Sequence, residues 1–390
     1  MPDRSSPDSP NPVFGRAAPL TDPFRSLAPN ERQILRLLRQ QAPLSRAELA
    51  RRAGLALPTV SRLADGLMGE GLIAAEEKVM MGRMGQPSLP LSLALHAAYA
   101  FGISVRADGL SIALARLSGE IVADHSEVHD GTSRDDVVRR IVGLIGSLAA
   151  QAQIPPDRVC GVGIALSGFF IQDPQRINAP LGMEAWATAD LEQALHDALG
   201  LPVLVENDGN AAAFGEYLYG AGRDHRSFAY LYIDRGLGGG IVLDGQQMRG
   251  RRGNAGEFTG MLRPDGRQNR PTLTLLQRFL EEDGISFPDV AAMARTFDPA
   301  WPAVQRWIDA TTPIANDIVS AIGALLDPDA VVIGGRLPLT LAAGLAANLR
   351  FHSVPVRGDE RRFPDILAST LTGDAAALGA GALCFERYFL

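Results

Sequence analysis

Two hydroxyl side chains and one arginine stand together near position 60 in a pattern suited to contacting DNA. Thr59, Ser61 and Arg62 lie at the start of a predicted helix that opens with a proline. Small hydroxyls and a forked arginine donor can reach base edges or phosphates when such a helix start enters a major groove. Ser45 and Arg46 begin the preceding predicted helix, where they would meet the phosphate backbone. We therefore predict that these five side chains contact double-stranded DNA.

The elements that must position these side chains follow the order helix, short helix, turn, helix, hairpin. Asn30 is predicted to cap the first helix, and Ser45 with Glu48 has the spacing of a capping box at the second. Arg83 lies between glycines at the predicted hairpin tip, where it can enter a minor groove. This order predicts a winged helix-turn-helix over residues 26–95. The alternative is a small helical dimerisation module with a solvated charged face.

Charge is distributed unevenly along the chain. Residues 24–95 carry ten basic side chains against six acidic ones, a net charge of +4. Because the whole chain has a net charge of −7, the remainder has a net charge of −11. A basic module attached to an acidic body is typical of a protein with one DNA-facing domain. The 23 residues before this module hold six prolines and little to bury, so we predict a disordered tail over residues 1–25.

Composition excludes several classes of protein. No apolar run reaches the ~18 residues that a membrane-spanning helix needs, and no signal-peptide pattern opens the chain, so we expect a cytoplasmic protein without membrane partners. Only Cys160 and Cys384 occur, too few for a four-thiolate zinc site. Cys160 lies in an apolar run, which predicts a buried side chain in a strand.

Strands and helices alternate after residue 99, which predicts an α/β architecture. Glycine-rich turns follow three predicted strands, near Ser167, Gly238 and Gly334. Glycine at a strand end lets backbone approach a ligand closely, so these turns indicate a cleft between two α/β lobes.

Three segments of the body, taken together, resemble the ROK family (repressor, open reading frame, kinase). They are VENDGNAAA at 205–213, GLGGGIV at 236–242 followed by GNAGE at 253–257, and VIGG at 332–335. The winged helix in front is similar to that of the repressor branch, and the resemblance covers about residues 28–388. It implies the two-lobed, actin-like (ribonuclease-H-like) fold of sugar kinases.

The resemblance also implies roles for individual residues. Asp208 matches the general base of the family kinases, while Asn207 and Glu257 match residues that bind sugar hydroxyls. A carboxylate can accept two vicinal hydroxyls, and an amide can both donate and accept. Asn178, with Trp186 downstream, resembles a further sugar-binding loop. The structural alternatives are a helix N-cap for Asp208 and a surface turn for Asn178.

Departures from the family pattern argue against phosphoryl transfer and zinc. The run ISVRADGL at 103–110 lacks the Asp-x-Gly-x-Thr turn of the kinases, and Asp234-Arg235 replaces small residues in the second phosphate loop. A desolvated carboxylate there would repel a triphosphate. Gly260 replaces the zinc-binding histidine, and no cysteine occurs in 263–272. We predict a vestigial base, no metal and no cofactor, with a loop over 262–273.

These observations predict a sugar-responsive DNA-binding repressor without kinase activity. We expect lobe 1 over 96–207, lobe 2 over 208–373 and a C-terminal helix over 374–390 that packs back onto lobe 1. Partners would be a palindromic operator, a sugar or sugar derivative, and a second copy in a homodimer or tetramer. Two alternatives remain: an active sugar kinase that uses Asp208, and a DNA-binding protein whose body is only a dimerisation scaffold.

Overall fold

The computed structural model of the protein describes residues 24–76, 89–128, 133–172, 176–180, 183, 186, 191–352 and 361–390. Its helices are α1 Pro29–Gln41, α2 Arg46–Ala53, α3 Leu57–Gly69, α4 Arg134–Gln151, α5 Leu191–Leu199, α6 Asp208–Tyr219, α7 Leu273–Glu282, α8 Val290–Arg295, α9 Pro302–Leu325, α10 Leu339–Asn348 and α11 Ala375–Tyr388. Its strands are β1 Ile73–Ala75, β2 Leu91–Leu93, β3 Tyr99–Arg106, β4 Gly109–Arg116, β5 Ile121–Glu127, β6 Val159–Leu166, β7 Phe169–Gln172, β8 Arg176–Asn178, β9 Val203–Asn207, β10 Phe228–Ile233, β11 Leu237–Leu243, β12 Gln246–Gln247, β13 Ala330–Gly335 and β14 Asp365–Ala368.

The N-terminal elements form a small helical domain closed by the antiparallel pair β1 and β2. The predicted capping box of α2 is confirmed: the Glu48 backbone N–H donates to the Ser45 hydroxyl at 3.2 Å, and the Ser45 N–H donates to the Glu48 carboxylate at 2.9 Å. The prediction that Asn30 caps α1 is wrong. The helix begins at Pro29, and the Ala28 N–H donates to the Glu31 carboxylate at 2.8 Å, so a glutamate inside the first turn serves this helix end.

The N-terminal domain shares its hydrophobic core with the body of the protein. Buried leucine and isoleucine side chains of α1 belong to the same cluster as Phe214 and Leu218 of α6 and Phe385 and Phe389 at the end of the chain. Burial of one continuous apolar surface favours a docked domain over a loosely tethered one.

Three arginines on one face of α1 attach this domain to the body. Arg32 donates to the backbone oxygens of Glu386 and Arg387 at 3.0 and 2.8 Å, and Arg36 donates to that of Leu390. Arg39, one turn further on, donates to two other carbonyls of the body. Three of the ten basic side chains of residues 24–95 therefore bind the protein's own backbone, which the charge count could not reveal.

The body consists of two lobes with the same sheet topology. Lobe 1 has the strand order β5-β4-β3-β6-β9 and lobe 2 the order β12-β11-β10-β13-β14. In each sheet the first three strands are antiparallel and the last two are parallel additions. Helices cover the sheets, and Cys160 is fully buried, as its apolar run predicts.

Helices α6 and α11 pack against each other, with α11 on the lobe 1 sheet and α6 mainly on β11 of lobe 2. Their backbones approach closely because glycine occupies the contact points. A Cβ added at Gly163 on β6 would lie 1.8 Å from the Ala380 carbonyl oxygen, and one at Gly379 would lie 1.7 Å from that of Ala211 on α6. These positions therefore require glycine.

Two predictions in lobe 2 are corrected by the structure. The sequence pattern predicts a helix over 313–326, but α9 starts eleven residues before Pro313, at Pro302, and continues through it. Pro313 has no backbone N–H to donate within the helix. Next to it, the Thr312 hydroxyl donates to the Ile308 carbonyl at 2.7 Å. The predicted loop over 262–273 contains a 3₁₀ helix at Pro264–Asn269, and α7 begins at its last residue.

Candidate functional site

One cavity of about 560 Å³ lies where the lobes meet, and it contains all four side chains predicted to bind a ligand. Its wall comes from the strand ends and turns of both sheets. The lining residues are Arg106, Ala107, Ser167, Gly168, Phe169, Asn178, Ala179, Pro180, Asn207, Asp208, Tyr232, Asp234, Arg235, Gly236, Leu237, Gly238, Glu257, Thr259, Arg270 and Thr274. The cavity is large enough for a monosaccharide.

The junction of β9 and α6 places Asn207 and Asp208. Asn207 is the N-cap of α6: its side-chain oxygen accepts from the Asn210 N–H at 3.0 Å, and its amide donates to the Gly168 carbonyl. Asp208 is the first helical residue and accepts from the Gly209 N–H at 2.8 Å. The N-cap role suggested for Asp208 therefore belongs to Asn207, whose side-chain oxygen and nitrogen both already make hydrogen bonds.

Asp208 combines a buried position with a strong hydrogen bond. Burial raises the pKa of its carboxyl to about 7, and the negative charges of Asp234 and Glu257 act in the same direction, while the Ser167 hydroxyl opposes them by donating at 2.6 Å. A carboxyl with a pKa near neutrality can both accept and donate a proton toward a sugar hydroxyl.

Glu257 is the least satisfied acidic group of the cavity. Its carboxylate accepts no hydrogen bond from the residues that the structure describes, and burial raises its pKa. Asn178, at the end of β8, is exposed and pairs with Phe169 in the short β7–β8 hairpin. The described residues therefore leave hydrogen-bonding capacity unused on both side chains, the property that recognition of sugar hydroxyls requires.

Several lining residues escaped the sequence analysis as site residues. Ser167 was noted only for its glycine-rich turn, although its hydroxyl bonds Asp208. Arg270 and Thr274 line the cavity from the segment around the start of α7. Trp186, in contrast, is 5% exposed and belongs to the hydrophobic core of lobe 1, so it does not line the cavity.

At one end of the cavity, a buried ion network joins the turn that carries Asp108 in lobe 1 to the turn that carries Asp234 in lobe 2. The Arg336 guanidinium lies 3.1 Å from carboxylate oxygens of both Asp108 in lobe 1 and Asp234 in lobe 2. Beside it, Arg106 bonds Asp374 at the start of α11. Burial opposes ionisation of Asp108, but the charge and hydrogen bonds of Arg336 outweigh it and hold the pKa of that carboxyl below its ordinary value.

On the N-terminal domain, α3 presents a polar surface opposite its buried face. Arg62 is exposed and makes no ion pair with described residues, whereas Thr59 and Ser61 are half-buried on either side of it. Arg46 donates to Asp65 at 2.8 Å and so joins α2 to α3. Ser45 is engaged in the cap of α2. Arg83 and the predicted hairpin tip lie outside the described residues.

Comparison with known proteins places these domains in a family. The ROK family model matches residues 100–270, and the IclR helix-turn-helix domain model matches residues 33–77. An uncharacterized protein of Sinorhizobium fredii, y4fQ, is 32% identical over 368 residues, covering 93% of this chain and 92% of that protein. The xylose repressor of Bacillus subtilis is 28% identical over 234 residues, or 60% of each chain.

Solved structures share the fold. A ROK family transcriptional regulator described as a homologue of the E. coli Mlc protein superposes with a TM-score of 0.67 at 24% identity, over 92% of this chain and 96% of that one. A ROK glucokinase from Streptomyces griseus, in complex with glucose and AMPPNP, gives 0.58 at 23% identity over 74% of this chain and all of that one.

The fold and the cleft define a two-lobed, actin-like protein that carries an N-terminal helix-turn-helix domain, which confirms the predicted fold class. The chain belongs to the ROK family. Among its described residues, no cluster of His, Cys, Asp and Glu has the arrangement of a metal site. No helix in the described part of the chain has the length and apolar character needed to cross a membrane.

Proposed function

We propose that this protein is a sugar-responsive transcriptional repressor whose kinase-like body binds a sugar without phosphorylating it. The observation that carries the proposal is the cavity itself: Asn178, Asp208 and Glu257 converge there, and the Glu257 carboxylate accepts no hydrogen bond from the described residues. The cavity lies in the same chain as a helix-turn-helix domain with an exposed arginine on α3. The resemblance to xylose repressors supports the same class of function.

Sugar recognition rests on Glu257 and Asp208 as acceptors of hydroxyl groups. Glu257 carries a half-buried carboxylate that accepts no hydrogen bond from the described residues, and a sugar diol would supply two donors. Asp208 faces the same space from the first turn of α6. Arg270 adds a cationic donor to the wall, so a sugar with an acidic substituent belongs in the test panel beside neutral sugars.

The absence of phosphoryl transfer rests on Arg336. In a kinase, the turns of the two lobes must leave room for the phosphates and the metal ion between them. Here Asp108 and Asp234 approach each other closely enough to share one guanidinium. An ATP phosphate chain would have to displace this buried pair and lie beside two carboxylates, which repel it.

Calorimetry with a panel of pentoses, hexoses and sugar acids, D-xylose first, tests the sensing half. Operator selection from random-sequence DNA with the full chain tests the DNA-binding part of the proposal. A protein that binds as a homodimer or tetramer is expected to select a palindromic sequence. Tight, salt-dependent DNA binding whose affinity changes when a sugar is added supports the proposal. Absence of DNA binding together with absence of sugar binding contradicts it.

A sugar kinase is the second candidate, and the pKa of about 7 at Asp208 favours it, because a general base works best near neutrality. A coupled ATP-consumption assay separates the two functions. Sugar-dependent turnover that Asp208→Asn abolishes would replace our proposal with the kinase. Tight operator binding without any sugar binding would instead reduce the body to a dimerisation scaffold.

A further inference from the structure

Helix α6 has one end in the sugar cavity and the other against the DNA-binding domain. Its first turn carries Asp208, with Asn207 as its cap. Its last turn contains Leu218, whose carbonyl accepts from the Arg39 guanidinium of α1 at 3.1 Å. The 12 residues of the helix span about 18 Å, so one rigid element connects the two sites.

Close packing keeps the middle turns of α6 rigid. On one side the Ala211 carbonyl lies against Gly379 of α11, and on the other Gly240 of β11 packs on Ala213. Backbone-to-backbone packing of this kind leaves no soft side chains that could absorb a displacement. A shift of the first turn on ligand binding is therefore passed to the last turn.

Arg39 makes the contact at the receiving end. Its guanidinium bonds the Leu218 carbonyl, stacks over the Tyr219 ring with 5.2 Å between Cζ and the ring centroid, and bonds the Leu117 carbonyl of lobe 1 at 3.1 Å. A cation is favourable at the C-terminal end of a helix, where the carbonyls carry partial negative charge. The other two arginines of this face, Arg32 and Arg36, bond residues at the end of α11 and beyond, and none of α6.

A cavity of about 250 Å³ adjoins this contact. Arg39, Gly119, Tyr219 and Arg223 are among its lining residues. The space gives the last turn of α6 room to move without steric clash against lobe 1, whereas most of the helix is tightly enclosed.

We propose that α6 transmits occupancy of the sugar cavity to the DNA-binding domain, and that Arg39 is the positioning residue that couples them. The inference rests on the proposed function, because it assigns the route by which the sugar acts. A sugar that binds at Asp208 moves α6, and Arg39 carries the movement to α1, which packs on the recognition elements α2 and α3. Such coupling requires different sugar affinities in the two arrangements of α6.

The experiment measures operator affinity with and without sugar in the full chain. The DNA probe is the duplex selected from random sequence by the wild-type protein, and the sugar probes are D-xylose and D-glucose at saturating concentration. Arg39→Met removes the contact from the α1 side, and Tyr219→Leu weakens it from the α6 side. Arg32→Met is the matched control on the same helix face, and Tyr219→Phe keeps the ring.

We expect sugar to change the operator affinity of the wild type by about tenfold, within the usual range of allosteric coupling. In Arg39→Met and Tyr219→Leu the change should fall below about threefold. In both variants, the sugar affinity measured by calorimetry without DNA should stay within threefold of the wild-type value. The operator affinity without sugar should also stay within threefold, whereas a general structural defect would lower both affinities. Both controls should keep the wild-type response.

The outcomes separate the inference from the function on which it rests. If the wild type binds neither probe sugar, the proposed function is contradicted, and so is the coupling that rests on it. If sugar changes the operator affinity of Arg39→Met and Tyr219→Leu as much as that of the wild type, the route through α6 is contradicted and the proposed function is not. The route is also overturned when Arg32→Met loses the response as fully as Arg39→Met, or when both test variants lose operator binding without sugar.

Discussion

Arg336 and Asp234 form a buried ion pair at 3.1 Å beside the cleft, whose wall includes Asp234. The same guanidinium pairs with Asp108 from the opposite lobe. The pairing turns two residues that would repel ATP into a link between the lobes. We propose that the same ion network both hinders ATP binding and links the two lobes.

Replacing Arg336 by Met should destabilise the fold by about 3–5 kcal/mol, because two buried carboxylates lose their counter-ion. Urea unfolding followed by circular dichroism measures the change. The triple variant that adds Asp108→Asn and Asp234→Asn should recover part of the loss, since it removes the uncompensated charges as well. A single variant as stable as the wild type would show that the network contributes nothing.

Stability should fall as pH rises through the range in which Asp208 ionises. Burial raises its pKa to about 7, so the folded state keeps a proton that the unfolded chain releases near pH 4. The unfolding free energy therefore decreases between about pH 4 and pH 7. Asp208→Asn lacks this dependence and should gain on the order of 1–2 kcal/mol relative to the wild type at pH 8, a value reduced for partial solvent access. Parallel pH profiles of the two proteins would contradict the buried carboxyl.

Glu257→Gln should weaken sugar binding at least tenfold without lowering stability. No described residue donates a hydrogen bond to the carboxylate, and burial raises its pKa, so neutralising it removes a cost of folding at neutral pH. Calorimetry and thermal unfolding check the two effects. Glu281→Gln, an exposed glutamate on α7, is the control and should change neither. Loss of stability in Glu257→Gln would point to a structural role.

Arg62→Ala should lower operator affinity by about 1–3 kcal/mol, since an exposed arginine on the recognition helix can contact a base or a phosphate. Fluorescence anisotropy at fixed salt measures the change. Arg295→Ala removes an exposed positive charge from lobe 2 and controls for net charge. Equal effects of the two substitutions would mean that α3 makes no specific contact.

Local signals predicted much of the fold and the cavity. The capping box at Ser45 and the glycine-rich turns depend on residues that are neighbours in sequence, so their spacing reports the structure directly. The sequence also identified Asn207, Asp208 and Glu257, which the structure brings into one cavity. Their roles in binding remain predictions.

The remaining features depend on contacts between distant segments. Arg336 is 228 residues from Asp108 and 102 from Asp234, so no local pattern could indicate their pairing. A charge count over residues 24–95 likewise could not tell that Arg32, Arg36 and Arg39 face the body, because all exposed and docked arginines count equally. The predicted helix start at Pro313 was wrong because the tertiary packing of α9 outweighs the preference of proline for the first turn of a helix.

Titration of the selected operator with sugar, in the presence of ATP, tests the central claim most directly. Anisotropy of the labelled duplex reports DNA binding, and ADP formation is followed in the same samples. Our account predicts that a sugar changes operator affinity by about tenfold in the wild type, that Glu257→Gln loses this response while still binding the operator, and that no sugar-dependent ADP forms. Sugar-dependent ADP formation, or operator binding that no sugar alters, would contradict it.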